Sequence, residues 1–162
     1  MIICGVDPGT RATGYGILDV EGSKCSYVSH GTIVPKAKVI SERLKTIFSE
    51  ITEAFRKHHP QEMAIETSFY AVNAQSALKL GQARGVIILA ATLLDIPVFE
   101  YSPTEVKKAT CAYGRAGKAQ VSAMVKVILN LPKDSISSKD ATDALAIGLC
   151  HASSRRFKGI IR

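Results

Sequence analysis

Apolar positions change their period twice along this chain, and the changes mark its elements. Over the first 34 residues the pattern is that of strands: an apolar run at 1–6, a second at 15–20, and an alternating third at 26–34. Asp7-Pro8-Gly9-Thr10 and Glu21-Gly22-Ser23 supply the turns of a meander. From Val39 to Phe55 the period becomes helical. Ile40, Leu44, Ile47, Phe48, Ile51 and Phe55 recur at three- and four-residue intervals with charges between them, and His58-His59-Pro60 closes the helix.

A short buried strand follows at Met63–Glu66, then a helix from Asn73 to Leu94 with few charges and two glycines, Gly81 and Gly85. Helical glycine costs about 1 kcal/mol against alanine, so this face is expected to meet another backbone closely. A fifth strand is predicted at Pro97–Tyr101, helices at Pro103–Thr110 and Lys118–Leu129, and a loop at Ala112–Gly117 between them. Ser135 to Ser138 offer an N-cap for a last helix ending near Ser153. The order β-β-β-α-β-α-β-α-α-α predicts an α/β fold, a mixed five-stranded sheet with helices on both faces.

With 162 residues and no linker, repeat or low-complexity stretch, the chain is expected to form one domain over 1–154 with a basic tail at 155–162. The longest apolar stretch, 86–94, is too short for the roughly 20 residues of a spanning helix. Asp7 interrupts the apolar start and no basic segment precedes it, so no export signal is visible and the expected address is the cytoplasm. Cys4, Cys25, Cys111 and Cys150 are widely and irregularly spaced, which favours reduced, mostly buried thiols; the Cys150-His151 neighbours read as packing.

Charge adds a partner class. Residues 1–100 balance 10 Lys and Arg against 10 Asp and Glu, whereas residues 101–162 carry 11 against 4, so the whole net charge of +7 lies in the last third. Such asymmetry suits a polyanion such as nucleic acid, and equally a soluble basic surface.

Four acids stand where folding alone would not put them. Asp7 and Glu66 close apolar strands, Asp143 interrupts an apolar helical run, and Asp140 precedes it by one turn on the same face. If the strands ending at Asp7 and Glu66 are adjacent and parallel, both carboxylates leave the sheet at one edge. Each acid has a plain structural reading: Asp7 as a turn residue, Asp140 as a helix N-terminal charge, Glu66 as an ion-pair partner. Together they form a self-repulsive cluster of hard oxygen donors, and the combination favours Mg²⁺ or Mn²⁺ and phosphodiester hydrolysis.

These residues carry a resemblance. The segments Gly5-Val6-Asp7-Pro8-Gly9-Thr10 with Thr13-Gly14-Tyr15-Gly16, Ser76 to Gly85, and Asp140 to Ala146 resemble the three motifs of the RuvC family, bacterial Holliday-junction resolvases of ribonuclease H-like fold. The resemblance spans almost the whole chain. It implies a Mg²⁺-dependent homodimer, with two ions per active site and Mn²⁺ able to substitute. Such an enzyme nicks two strands of like polarity across a four-way DNA junction, leaving 5′-phosphate and 3′-hydroxyl ends.

Asp7, Glu66, Asp140 and Asp143 match the family's catalytic, metal-holding acids. Lys107 and Lys118 match basic residues near the scissile phosphate, and Phe69 an aromatic that stacks on junction bases, a role Tyr70 could share; a core position is the alternative for Phe69. Arg11, Lys108 and Arg115 are further phosphate-contact candidates. The resemblance also implies two partners, the junction-binding tetramer RuvA and the branch-migration motor RuvB. Glu66 is followed by Thr67-Ser68, where the family more often has Gln and an aliphatic residue, so the family's preference for thymine-rich sites is not carried over. A non-catalytic junction binder is the second reading. An actin-like phosphotransferase, suggested by Asp7-Pro8-Gly9-Thr10, needs two such domains and does not fit in this length.

Overall fold

The computed structural model describes residues 1–67, 73–132 and 134–160. Strands β1 (Ile2–Asp7), β2 (Thr13–Glu21) and β3 (Lys24–Ile33) form the meander, and α1 (Ile40–His58) leads to β4 (Glu62–Glu66). Then come α2 (Ala74–Thr92), β5 (Val98–Tyr101), α3 (Pro103–Cys111), α4 (Lys118–Ile128) and α5 (Lys139–Ile160). One five-stranded sheet runs in the order β3-β2-β1-β4-β5. The first three strands pair antiparallel, and β1, β4 and β5 pair parallel, as the order of elements predicts.

Strand periodicity decides which helices cover which face. Cys4 and Val6 of β1 and Met63 and Ile65 of β4 pack with Ile47, Ile51 and Phe55 of α1 and Ile87 of α2. The alternate residues face the other way. Ala64 joins Leu145 and Ile147 of α5 and Val121 and Val125 of α4 in a second core. Side chains at Gly5, Gly14 or Gly16 would collide with α5, at the Ala144 and Asp140 carbonyl oxygens and at Leu145 respectively. These glycines, not Gly81 and Gly85, are where the fold requires close approach within the chain. A β-carbon on either of the latter would meet open space.

Local chemistry sets most boundaries. Asn73 caps α2 by accepting from the Ser76 N–H, and Ser102 with Glu105 makes a reciprocal capping box for α3. Ser138 caps α5, its hydroxyl accepting from the Ala141 N–H at 3.3 Å. α1 ends at His58, where His59 turns left-handed with φ 47°, at the predicted His58-His59-Pro60 close. One helix outruns its predicted end. α5 continues past Ser153 to Ile160, and Arg155, expected in a frayed tail, binds Glu62 at 2.7 Å.

His151 is buried and part of the same contact, not simple packing. Its Nε2 lies 2.6 Å from Glu62 and its Nδ1 2.7 Å from the Tyr101 hydroxyl. All four cysteines are free, and Cys4 and Cys150 are buried. Among the described residues no helix is long and apolar enough to cross a membrane.

Candidate active site

The register of β1 on β4 pairs Val6 with Ile65, so Asp7 and Glu66 are the next residues of adjacent parallel strands and leave the sheet at one edge. Their parity completes the placement. Asp7 shares a face with Gly5, and Glu66 with Ala64, and that face is covered by α5. α5 begins at this edge, which brings Asp140 and Asp143 in its first turns toward both strands. Acids near a helix N-terminus also meet the favourable end of its dipole.

Two cavities adjoin the cluster. One, of about 280 Å³, is lined by Asp7, Glu66 and Asp143 together with Lys107 and Lys118. The other is lined by Asp7, Asp140 and Arg11. Asp7 is common to both, so Asp140 meets the other acids across it. Neither cavity is lined by His or Cys.

The electrostatics record the crowding. The Asp7 carboxyl is pushed up to about 7, first by burial and then by the charges of Asp143, Glu66 and Asp140, with Lys118 opposing. Lys118 is held above the ordinary lysine range, chiefly by Asp143, whose carboxylate lies 3.4 Å from its Nζ. Lys118 opens α4 behind Gly117, where a cation opposes the helix dipole, and Asp143 compensates it. Among the described residues no group of three or more His, Cys, Asp or Glu side chains is arranged to hold one ion.

Comparison with known proteins agrees with this geometry. Residues 3–151 match the family described as crossover junction endodeoxyribonuclease RuvC. A crossover junction endodeoxyribonuclease RuvC from Geobacter sp. (strain M21) is 47% identical over 163 residues, covering 100% of this chain and 98% of that protein. The chain belongs to the RuvC family. In structure it is similar to Thermus thermophilus RuvC, with a TM-score of 0.88 and 32% identity over 98% of this chain and 97% of that one. T. thermophilus RuvC in complex with a Holliday junction substrate matches with a TM-score of 0.91 and 31% identity, over 98% and 96% of the two chains.

Against the family's motifs, Lys107 and Lys118 stand beside the acids in one cavity, half-buried and exposed respectively. Arg11 lines the second cavity. Lys108 and Arg115 are exposed and line neither. Phe69 and Tyr70 lie outside the described residues. Sequence reasoning missed the packing role of Gly5, Gly14 and Gly16, at which the sheet meets α5. The signal was present as glycines spaced within strands, which often mark close backbone approach.

Proposed function

We propose that this chain is a structure-specific endonuclease that resolves four-way DNA junctions in recombination and repair. It cuts two strands of like polarity and leaves 5′-phosphate and 3′-hydroxyl ends. The observation that carries this reading is the acid cluster around Asp7, set beside Lys107 and Lys118 in one cavity of a RuvC-family chain.

The donor set fits a hard divalent cation, because Asp7, Glu66, Asp140 and Asp143 offer oxygen alone and repel one another without a counter-charge. Mg²⁺ is the proposed metal, with Mn²⁺ as a substitute and two ions per site. When bound, such ions supply an activated water and charge neutralisation at the phosphodiester. The chain's own residues do the rest. Asp7 and Glu66 are fixed by strand ends and Asp140 and Asp143 by a helix, so the acids stand on rigid elements. Lys118, tethered to Asp143, holds a positive charge at the cavity where charge builds up on the cleaved phosphate.

A four-way junction has two-fold symmetry, and a homodimer presents two equal sites to it. The open side of α2 at Gly81 and Gly85 is free for a second copy or for DNA. RuvA and RuvB are the proposed further partners, and the bacterial cytoplasm the proposed location.

The test is cleavage of a labelled synthetic junction, with linear duplex of the same sequence as control, with and without Mg²⁺. Paired nicks on the junction alone are expected, and Asp7→Asn should bind the junction without cutting it. Binding without cutting by the unaltered chain at any divalent metal would make it a junction binder instead.

A further inference from the structure

The cavity on the Asp140 side of the cluster, about 770 Å³, is the larger of the two, and the wall facing Asp7 and Asp140 has no assigned part in the chemistry. Its cations come from three separate stretches of chain. Arg11 belongs to the turn after β1, Lys38 to the segment leading into α1, Arg43 to the first turn of α1, and Lys79 to α2. Four cations therefore face two acids, Asp7 and Asp140. Among the described residues none of the four cations takes part in an ion pair.

Two of the stretches are held by specific bonds. Arg43 is half-buried, and its Nε donates to the Ala37 carbonyl at 2.6 Å, which ties down the segment carrying Lys38. The Thr13 hydroxyl donates to the Gly9 carbonyl at 2.7 Å and accepts from the Gly9 N–H at 3.3 Å, closing the turn that carries Arg11. Convergent cations that outnumber the acids facing them and make no ion pair, on braced segments beside a phosphodiester-cleaving site, suit an external polyanion.

We propose that this groove takes the phosphodiester backbone of the strand being cut, on the side of the scissile phosphate away from Lys107 and Lys118. Arg11, Lys38 and Lys79 contact its phosphates, and Arg43 is a positioning residue for the segment bearing Lys38. This rests on the nuclease reading. Asp7 lines both cavities, so a strand crossing the acids passes from one into the other.

The experiment compares the unaltered full-length chain, the double variant Lys38→Ala/Lys79→Ala, and Lys24→Ala, an exposed lysine on β3 away from the groove. Junction affinity is measured with chelator from 50 to 200 mM salt, and single-turnover nicking with Mg²⁺. Each lost phosphate contact should lower the slope of log K against log salt by about 0.9, hence by about 1.8 for the double variant. Lys24→Ala should keep the original slope. Neutral methylphosphonates placed singly around the cut should weaken the unaltered chain at the phosphates that meet the groove and leave the double variant indifferent there.

An unchanged slope and an unchanged methylphosphonate profile in the double variant would overturn the proposal while nicking by the unaltered chain still supported the nuclease reading. Absence of nicking by the unaltered chain would instead sink that reading. Arg43→Lys keeps the charge and loses the Ala37 bond, so it should keep the slope and Tm while nicking slows at saturating enzyme. A lower Tm with an unchanged saturating rate would make Arg43 structural only.

Discussion

Burial and three neighbouring acids hold the Asp7 carboxyl at about 7, against 3.8 for an unperturbed aspartate, and unfolding releases that strain. The folded value lies above the unfolded one, so the folded chain binds the extra proton between them. Its stabilising effect is complete below about pH 4 and is lost as the pH rises through about 7. Metal-free Asp7→Asn should therefore melt several degrees above the unaltered chain at pH 8, with the gap closing toward pH 4. Calorimetry with chelator checks this, and equal Tm values at pH 8 would deny the strain. Lys118 behaves oppositely. Its side chain is 86% exposed, so Lys118→Ala should leave stability within about 0.5 kcal/mol while nicking falls; a large Tm loss would show a structural role. All four acids were legible in the sequence, because a carboxylate closing an apolar run has an unmet solvation cost that neighbours alone reveal. Nothing local marked Lys38, since an exposed lysine is the commonest of surface residues.

Helix α5 and strand β4 are joined at two rungs. Glu66 and Asp143 line one cavity at one end, and Glu62 meets His151 and Arg155 at the other. The spacings agree: four strand residues span about 13 Å and eight helical residues about 12 Å. The Glu62 contact thus sets the register that delivers Asp143 to the site. Glu62→Ala leaves the buried His151 Nε2 without this partner and should cost about 1–3 kcal/mol, read as a lower midpoint in urea together with slower nicking. Gly14→Ala forces a methyl against the Asp140 carbonyl and should cost a similar 1–3 kcal/mol by overpacking. Element order and type were readable from periodicity, whereas the reach of α5 was not. Its last turns are anchored by Arg155 on Glu62, 93 positions earlier, and no local pattern encodes such a contact.

At the scale of the whole molecule, the described residues of one chain carry the acid cluster around Asp7, and resolving a junction takes two cuts. If a homodimer is the working unit, nicking should fall more steeply than in proportion to protein concentration once sedimentation shows single chains. Strict proportionality through that range would mean that each chain cuts alone. The sequence by itself determined the succession of strands and helices, the basic last third and the four acids, because hydrophobic period and the cost of burying charge act between near neighbours. Tertiary structure alone decided that Asp140 turns into a second cavity, that Gly5 and Gly14 lie pressed against α5, and that Arg11, Lys38, Arg43 and Lys79 converge. These groups lie far apart along the chain, and only the packing of helices on both faces of the sheet brings them together.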